Sequence, residues 1–295
     1  MGPMTPSPKS LRNLELRARI LQGIRAFFAG RGFLEVETPH RIPANAPEPH
    51  IDAVPSGDWY LHTSPELAMK RLLGAGCPRI FQVCRCWREG ERGKRHLPEF
   101  TMLEWYRAGE DYRALMEDCE GLLPALGFSD GGEGTWPRVT VTEAFGRWAG
   151  TTPEEALEAG TFDELVALRV EPGLAGLGTP VFLVDYPSAC ASLARRKPGR
   201  PGLAERFELY AGGLELANGF SELTDAVEQR ARFEADRESR REAGRDPYPM
   251  PEPFLRGLAR VPPSAGIALG VDRLVMLLVG ADTIDEVVAL VPEEL

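Results

Sequence analysis

The chain predicts an α+β protein built on a mainly antiparallel sheet, and three features carry the prediction. Two β-forming apolar segments, one at Phe81 and Val83 and one at Met102, Leu103, Trp105 and Tyr106, flank a highly charged loop. A second strand-like pair, residues 207–211 and 214–217, is joined through Gly212-Gly213. Helical periodicity marks separate segments such as 11–30, and a small-residue strand beginning at Ser264 runs into an apolar helix. Strands that return through turns, with helices set apart from them, belong to α+β architecture.

Taken in order, residues 1–10 (MGPMTPSPKS) read as a flexible polar tail and 11–295 as a single domain. The tail has no apolar stretch behind it, so it does not read as a secretory signal. Residues 11–30 form a helix with Leu14, Ala18, Leu21, Ile24 and Phe28 on one stripe and Arg17, Arg19 and Arg25 elsewhere around the axis; Gly30 and Gly32 end it. Residues 33–39 are a short strand closed by Pro39. A proline-rich loop follows at 42–57, then a strand at 59–62. Ser64 and Pro65 open a helix running to Leu73. Residues 112–126 are helical, and the glycines and acids of 127–138 mark a linker. Short helices (143–148, 162–168) precede a buried strand at 181–185, and the basic run 195–200, broken by Pro198 and Gly199, reads as a mobile loop.

With 295 residues, 43% hydrophobic and 26% charged, the chain is long enough for a sizeable core. No apolar run approaches the roughly 20 residues that a bilayer span requires. Five cysteines without CxxC spacing indicate reduced thiols and a cytoplasmic protein. Cys84 and Cys86 would point to one face of a strand, but no second pair completes a zinc site. A net charge of −10 argues against a long nucleic-acid partner and suits a small basic protein partner.

Three stretches carry chemistry. The loop from Arg85 to His96 holds five arginines or lysines, a composition suited to a polyanion, since guanidinium forks bind phosphate oxygens in pairs. Glu99, Phe100 and Glu104 follow on the returning strand. Around Gly212-Gly213, Glu208 and Glu215 flank the turn and would present two carboxylates to a magnesium ion beside phosphates. In the stretch from Ser264 to Leu278, small residues at 265, 266, 268 and 270 let a ligand approach. Asp272 is placed to cap the next helix. Arg273 in the first turn of that helix is unfavourable unless an anion is bound nearby.

Arg88, then His96, Pro98, Glu99, Phe100, Thr101, Met102, Glu104 and Tyr106, resemble motif 2 of class II aminoacyl-tRNA synthetases. The wording RHLPEFTMLEWY is similar to the lysyl branch, and closer still to the small lysyl-synthetase paralogues that attach a lysine-type amino acid to elongation factor P. The helix–strand–proline unit resembles motif 1, although an ordinary helix–strand pair fits that pattern equally. The segment around Arg273 resembles motif 3. The resemblance spans about residues 11–290 and is weakest at 127–200.

It implies a class II catalytic fold with a six- to seven-stranded sheet, and ATP and Mg²⁺ as cofactors. Arg88 and Arg273 would clamp the phosphates, Phe100 would stack on adenine, and His96 and Glu208 would complete the ATP site. Glu91 is favoured over Glu89 for the adenine-side role, because the usual Arg-Asn-Glu is Arg88-Glu89-Gly90-Glu91 here. Glu208 and Glu215 would hold the metal. Glu66 would take the substrate α-amino group. Glu104, Tyr106, Asn218, Phe220 and Glu222 would take a lysine-like side chain. Ala268 stands where lysyl synthetases carry glycine, a departure that disfavours α-lysine against β-lysine.

The resemblance further implies a homodimer through residues 11–39 and elongation factor P as acceptor. About ten residues precede motif 1, where tRNA-charging relatives carry an anticodon-reading barrel, so tRNA is not the expected partner. Two alternatives stand beside this reading: a free-standing lysyl-adenylate-forming enzyme with another acceptor or tRNA, and a sensor of lysine or nucleotide without chemistry.

Overall fold

The computed structural model describes residues 8–129 and 135–295. The expected tail therefore falls mostly on residues 1–7, and the centre of the expected linker on 130–134, both outside the described residues. The first helix, α1 (Pro8–Gly30), begins three residues before its predicted start. Its buried face is rotated from the predicted stripe. Asn13, Arg17, Ile20, Ile24, Phe27 and Phe28 are buried, whereas Ala18 is exposed. Arg17 is inside because it has a partner there: Nη1 lies 2.6 Å from Asp272 Oδ1, and Nη2 donates to Thr101 Oγ1 at 2.8 Å.

A single eight-stranded sheet organises the rest. In chain order its strands are β1 (Leu34–Glu35), β2 (Arg79–Trp87), β3 (Glu99–Ala108), β4 (Arg138–Thr140), β5 (Val181–Val184), β6 (Arg206–Ala211), β7 (Leu214–Ser221) and β8 (Ser264–Gly270). Their spatial order is β1-β2-β3-β8-β7-β6-β5-β4. The six inner strands are mutually antiparallel, and the short β1 and β4 add in parallel at the two edges. The sheet is thus mainly antiparallel as predicted, and one strand wider than the expected maximum. The β6–β7 turn is built on Gly212 and Gly213, whose φ angles of 58° and 73° side-chain-bearing residues rarely adopt.

Side-chain alternation divides the sheet into a dry face and a wet one. Leu103 and Trp105 of β3, Phe207 and Leu209 of β6, and Ala265, Ile267 and Leu269 of β8 enter the main core. There they meet α1, α3 (Tyr112–Ala125) and α5 (Val271–Val279). The ring of Phe28 lies 5.0–5.1 Å from those of Phe33, Phe81 and Trp105. The intervening residues, Met102, Glu104 and Tyr106 on β3 and Gly266 and Ala268 on β8, face the other way and line a cavity. That face is walled by α2 (Glu66–Gly74) and α4 (Ala226–Glu242). Among the described residues, no helix is long and apolar enough to cross a membrane.

Two local expectations are corrected. The basic run at 195–200 is not a loose loop: Arg196–Lys197 pairs antiparallel with Arg200–Ala204. Arg195, Arg196 and Lys197 are ion-paired to Glu205, Glu228 and Asp185, at 2.5, 2.9 and 2.6 Å. Asp272 does not cap α5 either. It is buried, accepting from Arg17 and from the Thr101 N–H, so it joins α1, β3 and α5 at one point.

Candidate active site

The wet face holds two connected cavities, of 510 and 290 Å³, that share Glu48, Ile51, Arg88, Met102, Arg206, Glu208, Asn218 and Ala268 as walls. The smaller is mixed in charge, with four arginines and five acids on its wall. Arg88, Arg95, His96 and Arg273 line it, together with Glu91, Phe100, Glu208 and Glu215. Glu91 is on its wall and Glu89 is not. The Arg88 guanidinium lies 5.1 Å over the Phe100 ring, and its buried Nε has no hydrogen-bond partner. A buried guanidinium N–H without an acceptor is costly, so it marks a place for a ligand oxygen. Arg273, in the first turn of α5, donates from Nη1 to the Glu215 carbonyl at 2.8 Å and lies 3.3 Å from the Glu215 carboxylate. His96 Nε2 sits 2.5 Å from Arg273 Nη2. Burial and the Arg273 charge lower the His96 pKa, which keeps the ring neutral beside the guanidinium.

Glu208 and Glu215 face the same cavity, and their charges act on one another: burial first, and then Glu208, raises the Glu215 pKa. Glu208 already accepts from Arg206 Nη2 at 2.6 Å, Tyr186 Oη at 2.5 Å and Tyr210 Oη at 2.7 Å. A carboxylate offers about four acceptor positions, so one remains for a metal. Two acids beside a group of arginines fit Mg²⁺, a hard cation that takes few protein ligands and completes its shell with other oxygens.

The larger cavity is anionic. Glu66, Glu104 and Glu48 line it, with Tyr106, Asn218, Phe220 and Ala268. Glu104 is buried and accepts from Tyr106 Oη and from Ser64 Oγ at 3.2 Å. Burial and then the Glu66 charge push its pKa well above the carboxylate range. Asn218 accepts from Arg206 Nε at 3.1 Å, and Phe220 lies under the Lys70 ammonium at 5.2 Å.

Glu222 is placed differently from the other predicted residues. It is 1% exposed and stands behind the cavity wall, where Lys70 Nζ lies 2.5 Å from its Oε2. The same Nζ lies 2.5 Å from Glu66 Oε1. Glu222 Oε1 has no hydrogen-bond donor. Burial raises the Glu222 pKa to about 8 even against the pull of Lys70. Glu66, Glu104 and Glu222 gather around one ammonium, Lys70, and burial keeps Glu104 and Glu222 protonated at neutral pH until a further cation arrives beside them.

Sequence reasoning missed several members. Lys70 had a readable signal, since it follows Glu66 by four residues, one helical turn on the same face. Arg206 and Tyr210 also had one, since they flank Glu208 at two-residue spacing on β6, whereas Tyr186 had none because its arrival depends on the tertiary fold. Glu48 lies in a proline-rich loop with no motif of its own. It stays at the junction because Arg240, 1% exposed, donates to its carbonyl at 2.8 Å.

Arg88 just past the end of β2, Arg273 at a helix start and the paired acids Glu208 and Glu215 thus meet at one cavity on an antiparallel sheet. Residues 4–293 match the model of the class II tRNA synthetases (D, K and N), and the chain belongs to that family. Among curated proteins it is 40% identical to the elongation factor P--(R)-beta-lysine ligase of Vibrio cholerae, with 95% of each chain covered. It is 39% identical to the protein of the same name from Klebsiella pneumoniae, covering 97% and 96% of the two chains. With the one from Edwardsiella ictaluri the identity is 41%, with 94% of each covered.

Proposed function

We propose that the protein activates lysine or (R)-β-lysine with ATP and transfers it to a lysine side chain of elongation factor P. The observation that carries this reading is the pair of joined cavities, one bringing Arg88, Arg95 and Arg273 together with the paired acids Glu208 and Glu215 and the other lined mainly by carboxylates, meeting at Arg88, Asn218 and Ala268. A ligand spanning them is anionic at one end and cationic at the other. Glu66, Glu104 and Glu222 around Lys70 suit an amino acid with two ammonium groups, whose charge would favour ionisation of the buried carboxyls as it binds. The acceptor follows from the names of the relatives.

ATP enters the smaller cavity, with adenine stacked on Phe100, its edge toward Glu91, and the phosphates gripped by Arg88, His96 and Arg273. Glu208 and Glu215 would hold Mg²⁺, which neutralises charge between phosphates when bound. Glu66 takes one substrate ammonium, and Glu104 with Tyr106 the other. Glu222 acts through Lys70 and through its unpartnered Oε1, with Asn218 and Phe220 closing the pocket. The amino acid carboxylate attacks the α-phosphorus in line, forming the aminoacyl-adenylate and releasing pyrophosphate. The acceptor amine, once deprotonated, attacks the activated carbonyl; an amide forms and AMP leaves. Arg88 and Arg273 contribute by positioning and by offsetting charge as it develops.

Ala268 pairs with Asn218 on one side and Glu104 on the other, so its methyl group stands where the cavities join. One methyl against a packed substrate costs about 1–3 kcal/mol, which favours β-lysine over α-lysine. Leu11 and Leu34, both exposed on the 11–39 unit beside the sheet edge, support a homodimer through that unit. The acidic overall charge supports a protein acceptor rather than tRNA, and a cytoplasmic setting follows from an acceptor that works in translation.

Amino-acid-dependent ATP–pyrophosphate exchange tests the reading, with β-lysine expected to outperform lysine. Arg273→Ala should lower exchange by about 10²–10³-fold. Labelled β-lysine should appear on elongation factor P. Exchange without labelling of that factor would favour a free-standing adenylating enzyme, and no exchange would favour a sensor.

A further inference from the structure

Beneath the floor where the cavities meet, the β2–β3 hairpin gathers four soft or borderline donor atoms. Cys84 and Cys86 alternate with Arg85, so both thiols leave β2 on one face, and Met102 pairs with Cys84 across the ladder. Cys86 Sγ lies 3.9 Å from Cys84 Sγ, 3.9 Å from Met102 Sδ and 3.9 Å from His62 Nε2. His62 arrives from the segment before α2, and its Nε2 sits 2.7 Å from the Arg85 carbonyl oxygen. All four residues are at most 7% exposed. The absence of a second cysteine pair had argued against a metal site in the sequence; the fold supplies other donors in its place.

We propose that Cys84, Cys86 and Met102, with His62 beside them, form a buried site for a soft monovalent cation of the Cu(I) type. Thiolate and thioether ligands select such ions, and hard cations prefer oxygen. Metal–sulfur bonds of about 2.3 Å, in trigonal or tetrahedral arrangement, place sulfurs ~3.8–4.0 Å apart, the spacing found here without a metal. Zn²⁺ fits less well, because the His62 nitrogen nearest the sulfurs is already engaged with a backbone oxygen. Three sulfurs and an imidazole nitrogen converge at this one buried point, with Cys86 Sγ 3.9 Å from each of the other three donor atoms.

Met102 is also the link to chemistry. It lines both cavities, and Phe100 and Ala268 pack on the same cluster. A cation that draws Met102 Sδ toward the thiolates shifts the wall against which ATP and the amino acid rest. Occupancy should therefore weaken ATP binding.

The experiment is an anaerobic titration of the reduced, full-length protein with Cu(I) against a chromophoric Cu(I) chelator. One tightly held equivalent is expected, with a rise in the KM for ATP in the exchange assay. Cys84→Ser and Cys86→Ser should each weaken retention by at least about tenfold, while Cys77→Ser leaves it unchanged. Failure to retain one equivalent, retention unaffected by both serine variants, or preference for Zn²⁺ over Cu(I) would each overturn the assignment. Should the serine variants not fold, X-ray absorption on the copper-loaded wild type decides: a first shell of two or three sulfurs supports the site, and one of nitrogen or oxygen refutes it.

Discussion

Replacing Gly266 by alanine tests whether the ammonium end of the site is as tightly built as its geometry implies. A Cβ at this position would lie 2.2 Å from Tyr106 Cε1, 2.4 Å from Cδ1 and 2.5 Å from Glu222 Oε1. None of these atoms is the free end of a flexible chain. The Tyr106 ring is 2% exposed and tied by its hydroxyl to Glu104, and Glu222 is held by Lys70. Overpacking costs about 1–3 kcal/mol. Pushing the ring aside also breaks the buried Tyr106–Glu104 hydrogen bond, about 0.5–1.5 kcal/mol more. A loss of about 2–4 kcal/mol is therefore expected in urea denaturation, with a raised KM for the amino acid in exchange. Gly202→Ala is the control, because nothing lies within 4 Å of a Cβ there. Equal denaturation midpoints for the two variants, with an unchanged KM, would refute the packing argument.

Lys70→Met should cost about 3–5 kcal/mol, because it strands Glu66 and Glu222 without their shared countercharge. Glu222 already titrates at about 8 with Lys70 present, so the deficit should shrink at acid pH as that carboxyl takes a proton; equal deficits at pH 5.5 and 8.5 would contradict this. Glu48 gives a second pH signature. Burial, opposed by Arg88, raises its pKa from 4.5 to about 7. The folded state thus holds a proton that the unfolded state releases between those values, so its stability falls as pH rises through that window. Glu48→Gln should be increasingly stabilising relative to wild type from pH 4.5 to 7 and level off above it. A pH-independent difference in denaturation midpoints would show that Glu48 is not desolvated at the cavity junction.

The local sequence fixes which side chains share a face, because in a strand that follows from alternation alone. Met102, Glu104 and Tyr106 fall on one side of β3 and Leu103 and Trp105 on the other; Gly266 and Ala268 separate likewise from Ile267 and Leu269. The charged loop, the glycine turn and Arg273 at a helix start were legible for the same reason, since each depends on neighbours within a few residues. Joining them into a site was a matter of register. Pairing Ala268 with both Asn218 and Glu104 spans some 160 residues of chain, and no local pattern encodes it.

The tertiary structure alone decided where charges are neutralised. Arg17 looked like a solvated residue on an amphipathic helix, yet it is buried because Asp272, 255 residues away, meets it there. Lys70, 152 residues from Glu222, meets it at 2.5 Å, and His62 joins Cys84 and Cys86 from another segment. A buried charge or donor is tolerated where a partner arrives to meet it. Composition and periodicity carry no information about that arrival, so the chain shows which groups share a face, while the fold determines which of them meet.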